Sequence, residues 1–383
     1  MSSSPITTSG RELSDPMLLS VLGRVPDPRD PRGVRYRLAS VLAVATCAVL
    51  AGARSFAAIG EWAADLAPGQ LDRIGLDKAP VESTMRKLFA RLDAAALDRQ
   101  LAVLAWCRTR QTAGRRVIAI DGKTVRGART ADAVAPHLVA ALDHATGVVL
   151  GQNQVAAKSN EIPAVRDLLT GFDPADLREC VITVDAMHTQ HDTAKAITDA
   201  GADYVFTVKN NQPNLRKALK ALPWAGVPVG ARSTEHGHGR RVTRSIKVLQ
   251  VPDLPGWPEF PGAVQVAQLR RTVTSKDTSG KKTTTVEVVY LITSAPHTTA
   301  PPAVLAAWTQ GHWGIENRVH WVRDVTFDED RSQVRTGNAP HVMAALRNTA
   351  INLLRLAGWT NIAQALRHHA RHPNQALTCA LTS

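Results

Sequence analysis

Two short β-branched runs, Val117-Ile-Ala-Ile120 and Val181-Ile-Thr-Val184, each lead directly into an aspartate, Asp121 and Asp185. Runs of this length and branching read as buried strands. Each therefore delivers a carboxylate at its C-terminal end. If the two strands are neighbours, their carboxylates stand close together and repel unless a divalent cation lies between them. A metal centre is the expectation, and it calls for a third carboxylate.

The chain's 383 residues are enough for a substantial core and two domains. Its 46 Lys and Arg against 33 Asp and Glu leave a net charge of +13. That balance points to a polyanionic partner, with nucleic acid first. The four cysteines stand far apart, so neither a zinc cluster nor a disulfide framework is expected. A reducing cytoplasm, close to the nucleoid, fits. The opening Met1-Ser-Ser-Ser-Pro5 lacks the charged-then-apolar layout of an export signal. The uncharged apolar stretch 38–53 is short for a membrane span and reads as a buried helix, so no membrane is expected as a partner.

Residues 1–112 read as an all-helical N-terminal domain, with helices near 56–66 and 82–92. The second would be capped by Ser83 and projects Arg86, Lys87 and Arg91. Arg86 and Lys87 are candidate DNA contacts, with a solvated basic face as the equal alternative. Residues 113–221 alternate strand and helix signals in the order strand, strand, strand, helix, strand, helix, strand. Residues 222–293 read as a β-rich insertion with strands near 246–251, 264–269 and 286–292 and a hairpin tip at 276–281. Residues 294–360 become helical again after Pro301-Pro302, with a last long helix over 340–357. Residues 361–383 are assigned as a basic tail.

The third carboxylate is sought on the helix after Pro302. Steps of three and four place His312, Glu316, His320 and Arg323 on one stripe. Trp308, Ile315, Val319 and Val322 form an adjoining apolar stripe that would pack on the sheet. On pattern alone, a surface glutamate paired with Arg323 is an equal reading of Glu316.

Several strings then carry a resemblance. They are Ala119-Ile-Asp-Gly-Lys-Thr-Val-Arg-Gly127, Lys158-Ser-Asn-Glu-Ile-Pro163, Val184-Asp-Ala-Met-His-Thr-Gln190, Val208-Lys-Asn-Asn-Gln-Pro213 and His312-Trp-Gly-Ile-Glu-Asn-Arg-Val-His-Trp321. In order and in register, they resemble the H-repeat-associated family of bacterial insertion-sequence transposases. The likeness continues through Asp324-Val-Thr-Phe-Asp-Glu-Asp330 and, near the start, Asp27-Pro-Arg-Asp-Pro-Arg-Gly33. The resemblance implies an α/β fold: an RNase H-like mixed sheet flanked by helices, with a β-rich insertion before the final glutamate. It also implies a DDE triad on Asp121, Asp185 and Glu316, with Asp121 bridging two ions. Those ions would be Mg²⁺, for which Mn²⁺ can substitute, about 3.5–4 Å apart. Hard cations of this kind take carboxylate oxygens and need no Cys or His ligand.

The implied partner is double-stranded DNA, both element ends and target, with a homodimer in the synaptic complex. Many related transposases carry Tyr and Arg before the glutamate and a basic residue seven after it. Here Thr309 and His312 fill the first two positions, and only Arg323 carries over. Lys123 and Arg126, beside Gly122, are candidate phosphate contacts or charge balance for the carboxylates. Lys209 and Asn211 are candidate DNA contacts or a simple polar turn. Arg240 and Arg241, in His236-Gly-His-Gly-Arg-Arg241, complete the DNA-contact set together with Arg323.

The acidic run Asp324, Asp328, Glu329 and Asp330 reads as solvated loop charge answered by Arg331 and Arg335. Trp224 and Trp257 are more at home in a core than stacked on a base. Two other functions compete with the transposase: a non-catalytic DNA-binding descendant, and a structure-specific nuclease on the same core. Retention of all three carboxylates opposes the first. The matching N-terminal region and the β insertion oppose the second.

Overall fold

The computed structural model describes residues 17–109, 114–131, 134–156, 159–237, 239–276 and 282–382. In chain order its elements are α1 (Leu18–Leu22), α2 (Leu38–Leu50), α3 (Phe56–Ala64), α4 (Pro68–Asp72), α5 (Glu82–Arg91), α6 (Ala94–Arg108), β1 (Val117–Thr124), β2 (His137–Asp143), β3 (Val149–Gln154) and α7 (Glu161–Thr170). There follow α8 (Pro174–Leu177), β4 (Val181–Val184), α9 (His191–Asp199), β5 (Asp203–Val208), α10 (Pro213–Ala221), β6 (Ala231–Gly237), β7 (Arg240–Gln250), β8 (Gln265–Lys276) and β9 (Lys282–Thr293). The last helices are α11 (Pro302–Gly311), α12 (Ala339–Leu356), α13 (Ile362–Arg371) and α14 (Pro373–Thr382). The class is mixed α/β, with a large mixed sheet flanked by helices and a helical N-terminal region, as expected. No helix is long and apolar enough to cross a membrane among the described residues.

The chain divides into two compact units. One takes residues 1–114, 121–173 and 314–383. Its centre is α2, where every residue but Ala39 is buried. A helix apolar all round has no solvent face to offer and is stable only with neighbours on every side. Those neighbours come from both ends of the chain, since one apolar core runs from Leu18, Val21 and Leu22 to Leu377, Ala380 and Leu381. The N-terminal helices therefore share a core with α12, α13 and α14 rather than building one of their own.

The stretch 361–383, expected to be a basic tail, is largely this helix pair. Ile362, Ala365 and Leu366 are buried while Arg367 and Arg371 face out. The density of His and Arg there hides a helical apolar stripe. A second correction concerns α5: Val81, not Ser83, occupies its N-cap position, and no side chain caps it.

In the same unit β2 and β3 form an antiparallel hairpin. Its turn is held by Thr146 Oγ1 donating to Asp143 Oδ2 at 2.7 Å. A buried polar cluster ties the hairpin to the helices. Gln152 of β3 donates to Asp98 Oδ1 of α6 at 2.8 Å, and His341 Nε2 of α12 meets Asp98 Oδ2 at 2.5 Å.

The other unit takes residues 115–120 and 174–313. Within it the first half of β1 pairs in parallel with β4, from Val117 opposite Val181 to Ile120 opposite Val184, and β4 pairs in parallel with β5. The expected β-rich insertion continues this sheet: β9 is antiparallel to β5, followed by β8, β7 and β6. Val117, Val181, Val205, Ile246, Ala267, Leu291 and Leu305 form the apolar cluster that seats α11 on the strands. The strands are longer than their apolar segments because their outer ends are exposed and polar. The edge strand β6, Ala231-Arg-Ser-Thr-Glu-His-Gly237, shows no apolar alternation at all, and sequence periodicity misses it. Of the expected hairpin tip only Lys276 is described; 277–281 lie outside the described residues.

Candidate metal centre

Asp121 follows the last residue of β1 that pairs with β4, so the strand's parallel register ends where its carboxylate begins. Across the same unit as Asp121, the chain at 316–320 and again at 322–326 winds as π-helix, with i→i+5 bonds. Such wide turns are rare and change which residues share a face. Here they bring Glu316 and His320 toward Asp121. One ligand atom from each of Asp121, Glu316 and His320 lies within 4.8 Å of the others.

His320 is buried, and its Nδ1 donates to Glu316 Oε2 at 3.0 Å and lies 3.5 Å from Asp121 Oδ2. Its Nε2 is buried without a hydrogen-bond partner among the described residues. The hydrogen bond from His320, helped by the charges of Lys123 and Arg126, holds the Glu316 carboxyl below its ordinary range against the opposing effect of burial. Glu316 is thus ionised near neutrality. Two carboxylates of separate elements, converging through one shared imidazole contact, fit a hard divalent cation such as Mg²⁺ or Mn²⁺. The expected stripe named His320 only as a flank of Glu316. Its spacing of four from Glu316 is the signal that identifies it as a partner.

The rest of that stripe departs from expectation. His312 belongs to the second unit, where its Nδ1 lies 3.1 Å from Thr183 Oγ1. Arg323 is fully buried and makes a forked contact to Glu329, which also receives Arg347 Nη1 at 2.8 Å. Arg323 is therefore corrected from a DNA contact to a buried structural arginine. Glu329 is corrected from solvated loop charge to the anion between two arginines. Burial opposes its ionisation, yet Arg323 and Arg347 outweigh that and bring its carboxyl down to about 2.

Lys123 is buried and ion-paired with Asp324, its Nζ 2.5 Å from Oδ1. That favours charge balance over an open phosphate contact. Arg126 stays exposed, 3.6 Å from Asp330. Arg86 pairs with Glu82 one turn earlier on α5, and Lys87 is exposed.

In the second unit Asp185 starts a short 3-10 turn, Ala186–His188, and its Oδ1 accepts from Ala186 N at 2.5 Å. The polar loop after β5 braces this turn. Asn211 Nδ2 donates to Ala186 O at 2.6 Å and Gln212 Nε2 to Thr189 O at 2.9 Å. Asn211 thus has a structural partner, whereas Lys209 is exposed. Arg240 and Arg241 are exposed neighbours on β7. Trp224 is buried and donates to Leu219 O, which leaves no face for a base.

Comparison with known proteins identifies the family. Residues 112–353 match the family described as Transposase DDE domain, and residues 19–107 match the family described as DDE_Tnp_1-associated. The chain is 32% identical over 356 residues to "Putative transposase YncI" of Escherichia coli O157:H7, covering 88% of this chain and 87% of that one. It is 32% identical over 355 residues to "H repeat-associated putative transposase YhhI" of Escherichia coli K12, covering 88% and 90%. A piggyBac transposase synaptic complex with hairpin DNA is similar at 12% identity and a TM-score of 0.44, over 94% of this chain and 78% of that one. The chain belongs to the DDE transposase family, among its H repeat-associated members.

Proposed function

We propose that this transposase binds the inverted ends of its own element, hydrolyses phosphodiester bonds there, and joins the freed 3′ ends to target DNA. Asp121, Asp185 and Glu316 would hold two divalent ions, Mg²⁺ in the first instance. The observation that carries the reading is the convergence of Asp121 and Glu316, distant in sequence, to ligand distance of each other. When bound, the ions supply an activated oxygen nucleophile and stabilise the leaving 3′ oxygen.

The chain's own groups prepare that chemistry. Glu316 is kept anionic by His320, and the buried ring limits the rotamers open to the carboxylate. Lys123, paired to Asp324, offsets part of the negative charge beside Asp121 without occupying it. Asp185 is held at the start of its turn by a backbone N–H, and Asn211 and Gln212 fix the turn itself. Preorganised carboxylates of this kind need not reorder when the substrate arrives. The exposed Arg126 and Lys209 remain proposed phosphate contacts, and synapsis of two ends requires a homodimer in the working complex.

The test uses purified protein and duplexes carrying the flanking element's inverted ends, with Mg²⁺, with EDTA, and beside Asp185→Asn. Cleavage and strand transfer with Mg²⁺ alone are expected. Cleavage in EDTA, or full activity of the variant, would sink the assignment.

A further inference from the structure

The outer part of the β6 to β9 arm has two faces of unlike charge. Directly paired residues of antiparallel strands share a face, and successive residues along a strand point to opposite faces. On one face each acid has a basic partner: Arg244 lies 3.0 Å from Glu235, and Arg271 lies 3.7 Å from Glu287. Gln310 of α11 also donates to Glu235, on the side where α11 packs. The opposite face carries no acid among the described residues. Arg232 and Arg270 flank Ser245 in one row, Thr243 stands beside Thr272 in the next, and Arg241 occupies the third. All three arginines are exposed, and none pairs with a carboxylate among the described residues.

We propose that this acid-free face is a docking surface for the sugar-phosphate backbone of duplex DNA, gripped without regard to base sequence. The proposal rests on the transposase reading only for the class of its partner. Arg232 and Arg270 are two strands apart, about 10 Å, and Arg241 lies about 13 Å further along the strands. A duplex carries one charge per ~1.7 Å of axis, so each guanidinium meets its own phosphate. The intervening Thr and Ser hydroxyls are donors of the kind that fix backbone register. Four strands span about 14 Å, too broad to enter a major groove of about 12 Å, which admits only a two-stranded ribbon. Base edges are therefore out of reach, and contact stays with the phosphates. Arg240 and Arg241, adjacent in sequence, fall on opposite faces, and only Arg241 belongs to the surface.

The experiment measures binding of a random-sequence duplex by anisotropy over a series of salt concentrations. It compares the full chain with two charge-matched triples, Arg232→Ser/Arg241→Ser/Arg270→Ser and Arg240→Ser/Arg244→Ser/Arg271→Ser. The first triple is expected to lower the slope of log K against log salt by about 2.7, at about 0.9 for each lost phosphate. The second is expected to keep the full chain's slope. Equal loss in both triples, or no loss in the first, overturns the proposal. Matching thermal midpoints establish folding; should a triple unfold, Arg241→Ser against Arg240→Ser asks the same question at about 0.9 in slope. Mg²⁺-dependent cleavage of element ends is scored in the same preparations. Face-dependent salt slopes without cleavage uphold the surface while sinking the transposition reading, and cleavage with equal slopes does the reverse.

Discussion

His320 reaches Glu316 across 3.0 Å from a ring that is itself buried, so the exposed carboxylate is steered by a side chain with little freedom of its own. His320→Ala is expected to weaken Mn²⁺ binding by about 10–100-fold, the usual effect of removing a group that orients a ligand. His320→Gln, which keeps a donor, should recover part of the loss. An electron paramagnetic resonance titration with Mn²⁺ measures both. Equal affinity in all three proteins would show that the imidazole does not position the carboxylate.

Glu329 is the anion between two buried arginines, and Glu329→Gln leaves both charges without it. A loss of about 3–5 kcal/mol is expected at neutral pH, read from chemical denaturation. Acid should have a related effect. The folded carboxyl sits at about 2 against an ordinary 4.5, so its contribution is complete above pH 4.5 and is lost as pH falls toward 2. The variant's stability should therefore depend less steeply on pH in that window. An unchanged slope there would refute the role given to Glu329.

Two glycines after Asp121 should respond differently to an added methyl group. At Gly127 a Cβ would stand 2.5 Å from Glu329 O and 2.8 Å from Ser332 O, both backbone atoms. At Gly122 it would stand 2.5 Å from Glu161 Cδ and 2.6 Å from His137 Nε2, the far ends of side chains. Gly127→Ala is expected to destabilise by about 2–3 kcal/mol and Gly122→Ala by about 1 kcal/mol. Thermal melts of the two variants give the order, and the reverse order would contradict the packing described.

Asn211→Ala removes the donor that braces Ala186, next to Asp185. Stability should fall by only about 1 kcal/mol. Turnover on element-end duplexes should fall more than ten-fold, with binding of those duplexes little changed. A drop in binding with normal turnover would instead make Asn211 a direct DNA contact.

The parts legible in the sequence were those with a short-range signature. The β-branched runs before Asp121 and Asp185 announce buried strands, and the pairing of Ile120 with Val184 meets the condition that they be neighbours. The all-apolar run at 38–53 announced a buried helix, and α2 fills most of it. Glu316 was found by its place among strings of a known family. Other features depended on contacts or winding that no local pattern records. The change from α to π winding moved Arg323 off the Glu316 stripe and into the core beside Glu329, a residue its neighbours made look like solvated loop. The polar edge strand β6 owes its place to hydrogen bonds with β7, and such bonds leave no apolar alternation to read.

The core built around α2 draws on Leu18 near the start of the chain and Leu381 near its end. Residues 363 positions apart (381−18) must therefore meet before that core closes. Such long-range closure is slow compared with local helix formation. The pair Asp121 and Glu316 belongs to the same unit, so the packing that supports it depends on that distant closure. Assembly of the candidate metal pair is thereby tied to contacts far from it in sequence.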